Sequence, residues 1–207
     1  YKAHQLGNAV VKDSSFKRNY GSIFPTAFVS YNLDSNNTIT IRAGKRIDRP
    51  AFQHLNPFTT ILNKYTYEAG NPFIKPQYTW NFAVAHTYKQ KLTTEVSYSY
   101  LKDYFSQIFI IDSSRSNVNN NIIIYTRGNV GSFTNFGITE TFQTPITKWW
   151  NLTAVAVYNY KVIKGVVWAP FTARVNQLNI SINNQFQLKK GWSLELSGFY
   201  QTKSQID

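Results

Sequence analysis

From Tyr78 to Tyr88 apolar and polar residues alternate almost one for one. Tyr78, Trp80, Phe82, Val84, His86 and Tyr88 form one set, and Thr79, Asn81, Ala83, Ala85 and Thr87 the other. The same rhythm runs through Leu92–Tyr100, Trp150–Tyr160, Leu178–Leu188 and Trp192–Tyr200. Over these five stretches 24 of 28 even positions are apolar or aromatic and none is charged, whereas the odd positions are mostly amides, hydroxyls and small residues. A period of two marks strands with one apolar and one wet face, and the helical period of 3.6 is nearly absent. Nine strands are predicted, over 1–12, 22–33, 37–47, 77–89, 91–112, 121–144, 149–163, 173–188 and 191–203. Short turns at 34–36, 89–91, 145–148 and 189–191 then fall at one end of the sheet. Longer links at 13–21, 48–76, 113–120 and 164–172 fall at the other. The strands on either side of 113–120 exceed 20 residues and are expected to carry bulges or breaks, for which Gly128 and Gly131 are natural places.

Two settings could receive the apolar faces: the interior of a soluble β-sandwich, or lipid around a transmembrane barrel. Aromatic residues stand at both ends of those faces, with Tyr88, Trp150 and Trp192 near the short turns and Tyr78, Trp80, Tyr98, Tyr100, Tyr158, Tyr160 and Tyr200 at the far ends. Along one strand the two sets are 8 to 10 residues apart. At ~3.3 Å per residue and a tilt near 40°, that separation projects to about 20–25 Å, close to the ~25 Å apolar band between the aromatic girdles of a membrane barrel. The other face is rich in amides and hydroxyls, as in Gln177, Asn179, Ser181, Asn183, Gln185 and Gln187. A lumen suits these better than a sandwich surface, which usually displays more Lys and Glu. Glu140 stands against the pattern, sharing its face with Phe136, Ile138 and Phe142.

Composition narrows the chemistry. The 207 residues contain no cysteine, which excludes a disulfide scaffold, a thiolate metal site and a cysteine nucleophile. The longest apolar run is the six residues Val166–Phe171, far short of the ~20 that a spanning helix needs. Lys and Arg outnumber Asp and Glu by 22 to 10, but the lysines collect at the short turns, where inner headgroups would lie, and no nucleic-acid groove is indicated. His4, His54 and His86 have no metal-ligand spacing. The chain has no nucleophile elbow, paired-carboxylate signature or phosphate-binding glycine loop, so neither enzyme activity nor a cofactor is expected. Three glycosylation sequons, at Asn36, Asn151 and Asn179, are attributed to chance. The 48–76 link, long for an unstructured loop, is stiffened by Pro50, Pro57, Pro72 and Pro76. It is read first as a loop folded over the barrel mouth and second as a ligand contact through Arg49, His54, Tyr65, Tyr67 and Glu68. The exposed apolar segment around Trp168 is a further candidate contact.

The segments Gly44-Lys45-Arg46-Ile47-Asp48-Arg49-Pro50, Leu55-Asn56-Pro57-Phe58, Gly70-Asn71-Pro72-Phe73-Ile74-Lys75-Pro76 and Gln77-Tyr78 resemble the C-terminal barrel portion of TonB-dependent receptor-like outer-membrane β-barrel proteins of Bacteroidota. Ile74 replaces the leucine usual in the third segment. The resemblance implies an all-β, antiparallel, up-and-down transmembrane barrel of about 22 strands, of which residues 1–207 supply about nine. It further implies a plug domain, a TonB box, a signal peptide and further strands elsewhere in the polypeptide. The implied partners are outer-membrane lipid, periplasmic TonB acting through the plug, and a surface lipoprotein. The implied role is active uptake of a solute such as an oligosaccharide, peptide or metal chelate across the cell outer membrane. Asn81, Glu95, Asn151, Asn179, Asn183 and Glu195 are then lumen-facing polar wall. A non-transporting structural or assembly barrel, a soluble β-sandwich binding carbohydrate, and a barrel enzyme are the alternatives.

Overall fold

The computed structural model describes residues 2–3, 14–15, 22–113, 116, 121–203 and 205–206. Most of the predicted strand 1–12 and of the links 13–21 and 113–120 lies outside the described residues, as does His4. Ten strands of four or more residues are present among those described: β1 (Thr26–Asn32), β2 (Asn37–Asp48), β3 (Thr59–Asn63), β4 (Thr66–Ala69), β5 (Gln77–Tyr88), β6 (Leu92–Ile111), β7 (Ile123–Thr147), β8 (Trp150–Val166), β9 (Pro170–Gln187) and β10 (Ser193–Gln201). The only α-helix among them is the single turn α1 (Phe52–Leu55). Two-residue strands at Lys2–Ala3 and Ser14–Ser15 pair with each other, and Gln205–Ile206 pairs with β9.

The chain divides into two compact units. One contains residues 47–77 and 103–130; the other contains 25–46, 78–102 and 131–207. The second unit is an up-and-down sheet in the order β1-β2-β5-β6-β7-β8-β9-β10, whose hairpins are antiparallel and whose first and last strands do not pair with each other. Its tight turns follow from local chemistry. Asp34 accepts hydrogen bonds from the backbone N–H of Asn36 (2.7 Å) and of Asn37 (3.0 Å). Those bonds, the Asn36 N–H first, hold its carboxyl below the usual range. Lys89 and Gln90 both take left-handed φ (49° and 56°), which reverses the chain within residues 89–91 and lets the Lys91 N–H donate to the Tyr88 carbonyl (2.9 Å). The predicted long link 164–172 is a correction: β8 and β9 extend past it and join through residues 167–169 alone. The strands propagate because Gly165 and Gly131 pair at close range. A Cβ at Gly131, whose φ is +150°, would stand 2.6 Å from the Gly165 Cα. Gly131 therefore eases a close approach without ending the strand, and Gly128 lies inside β7 as well.

Register assigns the faces. Pairs such as Trp80↔Tyr100, Phe82↔Tyr98, Ala154↔Ile182 and Phe186↔Leu194 put the even residues of β5, β6, β8, β9 and β10 on one side. The hydrogen bond from Thr94 Oγ1 to Glu140 (2.8 Å) places the even residues of β7 there too. No second layer covers this apolar side. Phe82 is 46% exposed, Leu194 57% and Trp192 73%, while Leu152 and Ile180 are half-buried between sheet neighbours. A soluble sandwich would bury all of these, so the two-layer alternative fails. Glu140 remains on the apolar side, opposite Ala156, in a stretch of β7 free of register shifts. The irregularity of this hairpin comes later, between Trp150 and Asn151.

Candidate functional site

In the first unit the link 49–76 is a folded structure. Leu55 and Ile74 are buried, Ile74 to 1% exposure, together with Pro50 and Pro76. Asn56 caps its own turn by accepting the Phe58 N–H (3.2 Å), and Asn71 does the same for Phe73 (2.9 Å). The Asn71 amide donates to the Arg127 carbonyl (3.0 Å), while Asn129 accepts the Lys75 N–H (2.8 Å) and donates to the carbonyls of Lys75 (3.0 Å) and Asp103 (2.7 Å). Gly70 is required by space: a Cβ there would meet the Asn56 amide nitrogen at 2.7 Å and the Gln53 carbonyl oxygen at 2.8 Å. The Leu-Asn-Pro-Phe and Gly-Asn-Pro segments are therefore scaffold, with asparagines satisfying backbone groups that a compact loop would otherwise orphan. Strands β3 and β4 form a hairpin, and β4 runs parallel to β7 through Thr66↔Ile123, Tyr67↔Ile124 and Glu68↔Tyr125.

This scaffold creates a cleft of about 250 Å³ lined by Gln53, His54, Glu68, Tyr125, Thr126 and Arg127. It brings together two of the predicted contacts, His54 and Glu68. The buried Nδ1 of His54 has no hydrogen-bond partner among the described residues. Burial, reinforced by the Arg127 charge and opposed by Asp48 and Glu68, lowers the His54 pKa below 6.5. A neutral imidazole, a guanidinium and a carboxylate thus face one small space, which can donate to and accept from a polar solute. Arg49 and Tyr65 are exposed and Tyr67 half-buried, and none of the three lines the cleft. Trp168 belongs to the other unit, 65% exposed in the β8–β9 turn. The sequence reading missed Arg127, Tyr125 and Gln53. The first two lie on a regular strand that only tertiary pairing brings under the loop. Among the described residues no group of three His, Asp or Glu could hold a metal.

In the second unit the odd, polar face carries the six residues expected in a lumen wall. Asn81 accepts from Ser99 (2.7 Å), Glu95 pairs with Arg42, and Asn183 donates to Glu195 and to Ser197 (2.9 Å). Asn151 sits opposite Gln185, which in turn opposes Glu195. Asn179 is half-buried, and its side-chain oxygen has no hydrogen-bond partner among the described residues. Arg42, Arg46, Asn81, Glu95, Ser97 and Ser99 line a recess of about 470 Å³ on this unit.

An uncovered apolar sheet face between aromatic rows, backed by a hydrogen-bonded polar face, defines the wall of a transmembrane β-barrel. The chain belongs to the outer membrane protein beta-barrel family, whose pattern matches residues 2–206, and its place is the outer membrane. Among solved structures it is similar to the siderophore receptor PirA from Pseudomonas aeruginosa, with a TM-score of 0.53 at 11% identity. The likeness covers 83% of this chain and 37% of PirA, so it is a likeness of fold over part of the receptor's length. No curated protein matches the chain.

Proposed function

We propose that the chain is a C-terminal part of the barrel of a TonB-dependent outer-membrane receptor of the Bacteroidota type, which takes up a solute and performs no catalysis. The observation that carries this reading is the pairing of a lipid-ready apolar face with a polar face bearing Arg42–Glu95, Asn81–Ser99 and Asn183–Glu195. The folded link 49–76 presents His54 and Glu68, together with Arg127 of β7, as the first solute contact. Tyr65 and Arg49 stand exposed on the same unit, and Trp168 is a separate exposed contact on the other. A plug, TonB and a surface lipoprotein complete the machine. The similarity in fold to PirA supports the reading.

The test is uptake by cells expressing the full-length receptor. The triple substitution His54→Ala, Glu68→Ala, Arg127→Ala should weaken solute binding about tenfold or more, with receptor abundance and fold unchanged, since hydrogen bonds to charged groups contribute ~1.5–3 kcal/mol each. Unchanged binding and uptake would favour the non-transporting, structural role. That reading draws on the use of Leu55, Asn56, Asn71 and Ile74 as loop scaffold.

A further inference from the structure

Cations in the second unit differ according to the face they occupy. On the polar face Arg42 pairs with Glu95, and the Lys161 ammonium reaches the Gln177 side-chain oxygen (3.4 Å). On the apolar face, at the end opposite the turns 33–36, 89–91, 148–149 and 188–192, stand Lys45, Lys102, Lys164 and Arg174, the last two flanking the three-residue β8–β9 turn. Register fixes each one: Lys102 opposes Tyr78, Arg174 opposes Val162, and Lys164 opposes both Ser132 and Thr172. Lys45 lies over the rings of Tyr78 (5.2 Å) and Trp80 (5.6 Å) on the same side. Lys102, Lys164 and Arg174 are exposed and have no hydrogen-bond or ion-pair partner among the described residues. They sit at or just beyond the aromatic set of Tyr78, Tyr100 and Tyr160. Among the described residues the sole carboxylate on this face of the unit is Glu140, which is separated from Lys164 by about half of the β7–β8 ladder.

Short barrel turns face the periplasm, so this end lies in the outer leaflet, and a cation just past the girdle on the lipid side meets headgroups. We propose that Lys102, Lys164 and Arg174, with the hydroxyls of Ser132 and Thr172, hold a phosphorylated lipid headgroup of the outer leaflet against the barrel wall. Lys164 and Arg174 are diagonal neighbours on adjoining strands, with the Ile163↔Ala173 pair between them, a spacing that lets one phosphate accept from both. The hydroxyls supply neutral donors for the same oxygens or for a sugar between phosphates. Each cation near an anionic headgroup layer strengthens association about fivefold, so the three together contribute on the order of a hundredfold.

The full-length protein in phosphatidylcholine nanodiscs, titrated with diphosphoryl lipid A and followed by native mass spectrometry, tests this. The wild type should retain the lipid, and retention should fall as salt rises. The variant Lys102→Gln, Lys164→Gln, Arg174→Gln should bind on the order of a hundredfold more weakly, whereas Lys148→Gln, Lys189→Gln, Lys190→Gln at the short turns should bind like the wild type. Equal retention by both variants, or full competition by inorganic phosphate at the same concentration, would overturn the proposal. If the first variant fails to fold, the wild-type salt titration decides: retention insensitive to salt also overturns it.

Discussion

The two units hold themselves together in opposite ways. The loop unit is a small conventional protein: Leu55, Ile74 and Val130 are buried, and asparagine side chains satisfy the backbone around them. The sheet unit buries almost nothing apolar beyond Ala85 and relies on backbone ladders, with its large side chains left for lipid to cover. One unit is stabilised by its own interior, the other by its solvent. Substitutions of the same kind should therefore have different consequences in each.

The largest effect is expected at Ile74. Replacing this fully buried side chain with alanine should destabilise the loop unit by about 2–5 kcal/mol. Limited proteolysis within 49–76 should detect the loss, while the sheet's resistance to heat in detergent stays unchanged. Next comes the apolar face of the sheet. Ile182→Arg places a charge near the middle of the lipid band and should cost ~2–4 kcal/mol in folding titrations in lipid vesicles, whereas Gln185→Arg on the polar face should change little. Equal costs at 182 and 185 would break the contrast between faces. A third effect, smaller, concerns Asn71→Ala, which removes the bond to the Arg127 carbonyl and the cap on Phe73 and should loosen the loop by about 1–3 kcal/mol.

The smallest effect is a pH dependence confined to the loop unit. The folded-state pKa of His54 lies below 6.5, so the unfolded loop takes up a proton first as pH falls. Loop stability should thus be independent of this group above about pH 6.5 and decline below it, until the folded imidazole also protonates. Hydrogen exchange of the Asn56 and Gly70 amides across that range should show the slope, and His54→Gln should remove it.

These contrasts also explain what could be read from the chain beforehand. Sheet strands announce themselves because lipid and lumen impose opposite chemistries at a period of two, as in Trp80, Phe82 and Val84 against Asn81. Eight of the nine predicted strands appear at nearly the predicted places for that reason. The β8–β9 turn was misplaced because Lys164 and Arg174 interrupt the apolar rhythm while the backbone ladder continues. The loop's hairpin and its cleft were hidden for a different reason. Asn71 and Lys75 act through contacts with Arg127 and Asn129, more than 50 positions away, and Gly70 through a close approach to Gln53 and Asn56, and no local pattern encodes such contacts. His54 and Glu68 were legible as polar residues in a long loop, but Arg127 looked like one more strand position.

Strands β1 and β10 each have a neighbour on one flank only among the described residues. Their other flanks present peptide groups with no mate, and in hydrocarbon each such group costs several kcal/mol. A bare piece of this polypeptide would therefore behave like an unzipped ribbon, fastening to copies of itself before it could enter a bilayer. Strands laid alongside these flanks would thus guard against clumping as much as they would serve as masonry.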